Sequence, residues 1–178
     1  MLLKSSPDRY GAVAVSLHWL TVVLILILLW SGFLAGEAEG VRKAVFLRAH
    51  VPLGVTVLLL TLFRVVWWRR FDPLPHAAAG VPVWQERLAR GVHVTLYVVL
   101  FAMAASGIAM MVLSGAAPAL FGGGAAVLPD FADYSPRAPH GVGAFALIGL
   151  LAADAGAALY HHFVRRDAVL RRMWYGTR

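Results

Sequence analysis

Cysteine is absent from these 178 residues, and with it go disulfides, iron–sulfur clusters, thiolate-bound zinc and covalently attached c-type haem, all of which need sulfur. Charge is scarce too. Only 14% of the residues are Asp, Glu, Lys or Arg, against 60% hydrophobic ones, whereas a soluble domain of this size keeps about a quarter of its residues charged. Acidic residues are the scarcest, 9 against 16 basic ones, for a formal net charge of +7. A basic excess can mark a nucleic-acid partner, but here Lys and Arg lie between and beside apolar stretches and not along a polar face or in a tail, which excludes that class. The medium such a chain suits is hydrocarbon, and a bilayer takes about 20 apolar residues per helix. The length therefore accommodates four crossings in a single membrane domain covering residues 1–178, with no sizeable soluble part.

Uninterrupted apolar runs predict transmembrane helices over about 13–34, 46–68, 91–113 and 140–163. The first run is too long for a signal-peptide core of about 7–15 residues and contains a histidine, so it reads as a mature helix. Lys and Arg divide unequally between the two sides. Twelve fall on one side, namely Lys4, Arg9, Arg64, Arg69, Arg70, Arg87, Arg90, Arg165, Arg166, Arg171, Arg172 and Arg178; Arg42, Lys43, Arg48 and Arg137 fall on the other. The positive-inside rule then assigns both termini and the 71–90 loop to the cytoplasm, and the 114–139 loop to the periplasm. Trp30, Trp67, Trp68 and Trp174 sit near span ends, as interfacial tryptophans do. In the 71–90 loop, prolines 73, 75 and 82 and Gly80 stop the second span, with a short helix expected around Trp84–Leu88. Prolines 118, 129, 136 and 139 and the run Gly122–Gly124 predict irregular backbone over 114–139, suited to covering a site at the membrane surface.

The informative residues are histidines at matching depths, because an unsatisfied ring in hydrocarbon is costly. His18 and His93 lie near the cytoplasmic ends of spans one and three, and His50 and His140 near the periplasmic ends of spans two and four. In an up-down-up-down bundle, spans one and three run parallel, as do two and four, so each pair faces inward at one level. Two imidazoles facing each other are the axial ligands of a low-spin b-type haem. Two pairs give two haems, an inner one on His18 and His93 and an outer one on His50 and His140. Fourteen residues, close to four turns and about 21 Å of helix, return to nearly the same face. At that spacing His18 and His93 are followed by Gly32 and Gly107, His50 by Arg64, and His140 by Asp154. The glycines suit either porphyrin packing or close helix packing. Arg64 suits either a haem propionate or a snorkelling position at the interface. Asp154 is open to hydrogen-bonding a ligand, pairing with Arg64 or carrying protons. His161, 21 residues after His140, is a candidate inner ligand or quinone partner, or simply an interfacial histidine. Met103, Met110 and Met111 read as filler, and His76 has no evident role.

Read in order, SLHWL at 16–20, AHVPLGVTVLLLTLFRVVWWR at 49–69, LARGVHVTLYVVLFAMAASGIAMM at 88–111, PHG at 139–141 and HHFVRRDAVLRRM at 161–173 resemble the bacterial cytochrome b561 family, within it the small stand-alone superoxide-oxidising members. The resemblance covers all four spans. It implies an all-α, integral membrane four-helix bundle in the inner membrane that encloses two b-type haems, takes electrons from superoxide at the periplasmic face and reduces ubiquinone. Carried over by position, His18 and His93 bind the inner haem, His50 and His140 the outer one, and His161 sits at the quinone site. Asp154 departs from the pattern, which has histidine there.

For that reaction Arg48 and Arg137, with Arg42 and Lys43, form a patch that would steer superoxide, locally offset by Glu37, Glu39, Asp130 and Asp133. Asp154 and His161 are candidates for supplying protons to quinone. Two other readings fit the composition: a cytochrome b subunit passing electrons between a partner dehydrogenase or hydrogenase and quinone, and a non-enzymatic transporter or haem carrier. A protein partner is compatible with the first reading but not required. The absence of cysteine makes the orientation directly testable. A thiol introduced by Lys4→Cys should react with an impermeant maleimide only after the cells are opened, and one introduced by Ser135→Cys should react in intact cells; the reverse pattern would invert the assignment.

Overall fold

The computed structural model describes residues 2–76, 80–122 and 127–175. Their secondary structure is helical, apart from an isolated antiparallel bridge between Ser6 and Arg9. Four long helices dominate: α1 (Ala12–Glu37), α2 (Gly40–Arg70), α3 (Val83–Ser114) and α5 (Arg137–Tyr160), with a short α4 (Ala117–Phe121) before the last. A π-helical turn, His161–Arg165, extends α5, and all four long segments are long and apolar enough to cross a membrane. The chain is thus an all-α, four-helix membrane protein.

The helices outrun the apolar stretches that reveal them. α2 starts at Gly40, six residues before the hydrophobic run, and α3 starts at Val83, so the short helix expected around Trp84–Leu88 is the first part of the third span. Pro82 just ahead of that helix accepts the Gln85 and Glu86 N–H groups, and Glu86 in the first turn pairs with Arg90 at 2.9 Å. Nothing between Leu88 and Gly91 breaks the backbone; only the polarity changes. Hydropathy reports where lipid begins, not where the helix begins. Two glycines mark real ends: Gly40 (φ +52) turns the chain from α1 into α2, and Gly115 (φ +60) terminates α3. Pro52 lies inside α2, where it cannot donate to the Arg48 carbonyl.

The described parts of the 114–139 segment hold more regular structure than its composition suggests. Besides α4 it holds a 3-10 turn at Phe131–Asp133, and Leu120 and Phe131 are buried. Arg48 Nε donates to the Leu120 carbonyl at 2.7 Å, and the Lys43 ammonium lies 5.9 Å from the Phe131 ring centroid. Gly123 and Gly124, like Arg178, fall outside the described residues.

The chain forms two compact units, each drawing on all four long helices. One comprises Met1–Thr21, Leu60–Tyr97 and Ile148–Arg178, and the other Val22–Leu59 and Val98–Leu147. Apolar side chains on the helices remain exposed in both, among them Leu59 at 60% and Phe145 at 68%, as lipid contact requires. In the unit that carries the termini, polar ties hold non-helical chain together. Asp72, 1% exposed, accepts from Ser5 N (2.7 Å), Ser5 Oγ (2.8 Å) and Trp67 Nε1 (3.1 Å). Arg172 donates to the Asp8, Pro7 and His76 carbonyls, and Trp19 Nε1 donates to Met173 O. The N-terminal segment, the 71–82 connection and the C-terminal tail are thereby joined. His76 enters only through its backbone.

Removing the Asp72 carboxylate strands three donors. Asp72→Ala should cost about 1.5–3 kcal/mol of stability, read as a lower melting temperature in detergent with faster proteolysis of residues 2–11; equal melting and cleavage would show that this junction contributes nothing.

Candidate functional site

The membrane histidines fall into two groups, one in each unit. In the Val22–Leu59 and Val98–Leu147 unit, α2 carries His50 and α5 carries His140 at the first turns of their apolar stretches. Their rings lie with centroids 6.3 Å apart and planes inclined by 67°. Each ring is held in the same way. His50 Nδ1 is 3.0 Å from Ser31 Oγ, and that hydroxyl also meets the Leu28 carbonyl at 3.1 Å. His140 Nδ1 is 2.9 Å from Ser106 Oγ, which also meets the Ala102 and Met103 carbonyls at 2.8 and 3.0 Å. A serine has one proton to give. With that proton directed to its own helix, each oxygen accepts Nδ1–H, which assigns the tautomer from the network and leaves Nε2 as the ring's lone-pair nitrogen.

Gly32 and Gly107 adjoin these serines and touch the rings directly. A Cβ on Gly32 would stand 3.0 Å from His50 Cε1, and one on Gly107 would stand 3.3 Å from His140 Cε1. The glycines therefore admit the imidazoles themselves. Gly143 similarly makes room for the Met103 thioether, so that methionine packs against α5. Arg137 lies along the first turn of α5, its Nη1 3.1 Å from where a Gly141 Cβ would be, one residue from His140. Arg48, by contrast, is anchored to the Leu120 carbonyl.

The second group lies in the unit with the termini and brings together His18, Arg64, His93 and Asp154. Here the partners are charged. Arg64 Nη2 is 3.4 Å from His18 Nδ1, and its guanidinium lies 4.4 Å from the Trp68 ring centroid. The guanidinium therefore lies between a ring of its own helix and His18 of α1. Arg64 Nε is buried without a hydrogen-bond partner, and a buried guanidinium nitrogen without an acceptor suits an anionic ligand group. Asp154 bonds His93, with Oδ1 3.1 Å from Nε2, rather than Arg64.

His161 is 9% exposed at the start of the π-helical turn. Arg166, at φ 55, caps that turn in the left-handed conformation, and the chain reverses so that Asp167 N donates to His161 O at 3.1 Å. The Asp167 carboxylate meets His161 Nδ1, and its other oxygen accepts from Val169 N at 3.1 Å. Burial raises the Asp167 carboxyl, but the bonds from His161 and Val169 and the nearby charges outweigh it and hold the group below the usual carboxylate range.

Sequence reasoning missed Ser31, Ser106 and Asp167. For the serines a signal was present: the dipeptide Ser-Gly recurs at 31–32 and 106–107, at the same distance beyond His18 and His93. Nothing comparable marks Asp167. Among the described residues no group of three or more His, Cys, Asp or Glu side chains is arranged to hold a bare ion. A pair of imidazoles supplies two ligands, the number an iron already held by a porphyrin still needs.

A family model described as prokaryotic cytochrome b561 matches residues 9–176. Cytochrome b561 homolog 1 of Escherichia coli K12 is 30% identical over 172 residues, covering 93% of this chain and 97% of the relative. Cytochrome b561 homolog 2 of the same organism is 28% identical over 185 residues, covering 97% and 95%. The probable superoxide oxidase CybB of Yersinia pestis is 28% identical over 173 residues, covering 93% and 95%. With four membrane-length helices, the chain belongs to the prokaryotic cytochrome b561 family of electron-transferring membrane proteins that bind b-type haem.

Proposed function

We propose that the chain binds two b-type haems, one between His50 and His140 and one between His18 and His93, and oxidises superoxide while reducing ubiquinone. The observation that carries this reading is the 6.3 Å spacing of the His50 and His140 rings. A metal–imidazole nitrogen bond of about 2.0–2.1 Å puts each ring centroid about 3 Å from the metal, so two axial imidazoles span about 6 Å. The Nδ1–H tautomers set by Ser31 and Ser106 leave the coordinating nitrogens in the right protonation state. At the other pair Arg64 Nε is available to a propionate, but His93 must first give up Asp154, and His18 its bond from Arg64, before either ring offers Nε2 to a metal.

When bound, the haems supply one-electron carriers between donor and quinone. Two superoxide anions each lose one electron to become dioxygen, and one quinone takes up two electrons and two protons. The chain's residues handle the charge and the protons. Arg137, beside His140, is the better candidate for steering the anion, because Arg48 already holds the Leu120 carbonyl. His161, with Nδ1 occupied by Asp167, presents Nε2 to a quinone carbonyl, and Asp154 is a candidate proton carrier. The superoxide assignment is supported by the name of the Yersinia pestis relative, and the charge division supports an inner-membrane orientation with both termini cytoplasmic.

Purified in detergent, the chain should carry two b-type haems per polypeptide, and His140→Ala should retain one; a haem-free protein, or a variant that still holds two, would overturn the paired-ligand reading. With superoxide and a ubiquinone analogue, Arg137→Gln should lower the rate roughly threefold to tenfold and flatten its dependence on salt, measured by pulsed superoxide generation. An unchanged rate and salt slope would remove Arg137 from the reaction.

A further inference from the structure

We infer that Ser31 and Ser106 are positioning residues for the haem held by His50 and His140, fixing both axial imidazoles and setting that haem's reduction potential and retention. The inference rests on the two-haem reading proposed above and concerns residues that take no part in ligation themselves.

Three features of the geometry carry it. First, each hydroxyl is itself immobilised by the carbonyls one turn back, Leu28 for Ser31 and Ala102 with Met103 for Ser106. An acceptor fixed in this way fixes the direction of the Nδ1–H bond. Second, the neighbouring glycine bounds the same ring at Cε1, 3.0 Å from a Gly32 Cβ position for His50 and 3.3 Å from that of Gly107 for His140. Each imidazole is thus held along its Nδ1 and Cε1 edge by two consecutive residues of a neighbouring helix. Third, the arrangement occurs twice. α1 grips the His50 of α2, and α3 grips the His140 of α5, each through a Ser-Gly pair and in the same order. Satisfying a histidine nitrogen in an apolar helix needs only one acceptor of any kind; a matched grip on both rings is what control of one shared ligand requires.

The chemical consequence follows from the acceptor. A neutral hydroxyl draws on Nδ1–H enough to make the ring a better donor to iron, without giving it the imidazolate character that a carboxylate partner would. Loss of the acceptor makes the ring less basic and free to rotate. Ferric iron is then less stabilised and the potential rises, while the haem is held more loosely.

The test uses the full-length chain in detergent, with redox titration of the haem absorbance and transfer of haem to an added scavenger. In Ser31→Ala and Ser106→Ala, one of the two haem potentials should move upward while the other stays at its wild-type value as an internal reference. Haem loss from the shifted site should be about 10–100-fold faster. Ser31→Thr and Ser106→Thr, which keep the hydroxyl, should stay closer to wild type than the alanine variants in both measurements. Unchanged potentials and loss rates in both alanine variants, or threonine variants indistinguishable from them, would overturn the inference while leaving the two-haem reading intact. A wild-type chain with no haem at the His50–His140 pair would overturn both. If an alanine variant does not retain enough haem to titrate, its threonine counterpart decides the matter, since a grip that works through the hydroxyl restores retention there.

Discussion

An imidazole placed in an apolar bundle must find partners within the protein, because no water is at hand and an unpaired polar group in hydrocarbon costs several kcal/mol. Each of the four span histidines has one polar partner on a neighbouring helix: Ser31 for His50, Ser106 for His140, Arg64 for His18 and Asp154 for His93. One partner satisfies one nitrogen. At His50 and His140 that leaves Nε2 with its lone pair on two rings whose centroids are 6.3 Å apart, the arrangement on which the haem proposal rests. The glycines, the serine rotamers and the buried guanidinium all follow from holding these rings in place.

The same scarcity of water explains how the helices are held. Lipid tails are as apolar as leucine, so burying apolar surface between membrane helices contributes little, and small residues and polar contacts do more. α3 has no buried residue at all. The Ser106–His140 bond and the fit of Met103 against Gly143 tie the later half of α3 to α5. In the unit with the termini, the ties move outside the helices, to Asp72 and Arg172, where backbone carbonyls and N–H groups of irregular chain need partners.

Much of this could be read from the sequence because hydrocarbon makes polar residues conspicuous. Four apolar runs match the four long helices, and of the histidines taken at equal depth, His50 and His140 face each other with ring centroids 6.3 Å apart, while His18 and His93 contact Arg64 and Asp154. Helix ends were less legible, since Arg42, Lys43, Glu86 and Arg90 are good helix formers that merely lie outside the apolar run. Arg64 was ambiguous because a long side chain near a span end can turn either way, and its contact with His18 on another helix leaves no mark in the sequence. The serines were hidden for a different reason. A hydroxyl in a membrane helix usually satisfies itself on its own backbone, as Ser31 and Ser106 also do, so its second role as acceptor leaves no imprint on hydropathy. Asp167 depends on a left-handed, non-glycine Arg166, which no sequence pattern announces.

The kind of partner also separates the two histidine pairs. At His50 and His140 the partner is a neutral acceptor, so the lone pair stays on Nε2 and the protein asks nothing further of the rings. At His18 the partner is a donor: Arg64 can only give a proton to Nδ1, which consumes that lone pair and leaves the hydrogen on Nε2. At His93 the carboxylate of Asp154 accepts from Nε2 itself. Neither ring of this pair offers an Nε2 lone pair in its present contacts, so ligation there means exchanging both. A displaced guanidinium and a displaced carboxylate cannot be left alone in a low-dielectric interior. On the two-haem proposal, Arg64, whose Nε already lacks an acceptor, would gain one from a propionate, and Asp154, losing its bond to His93, would be the group left to take a proton.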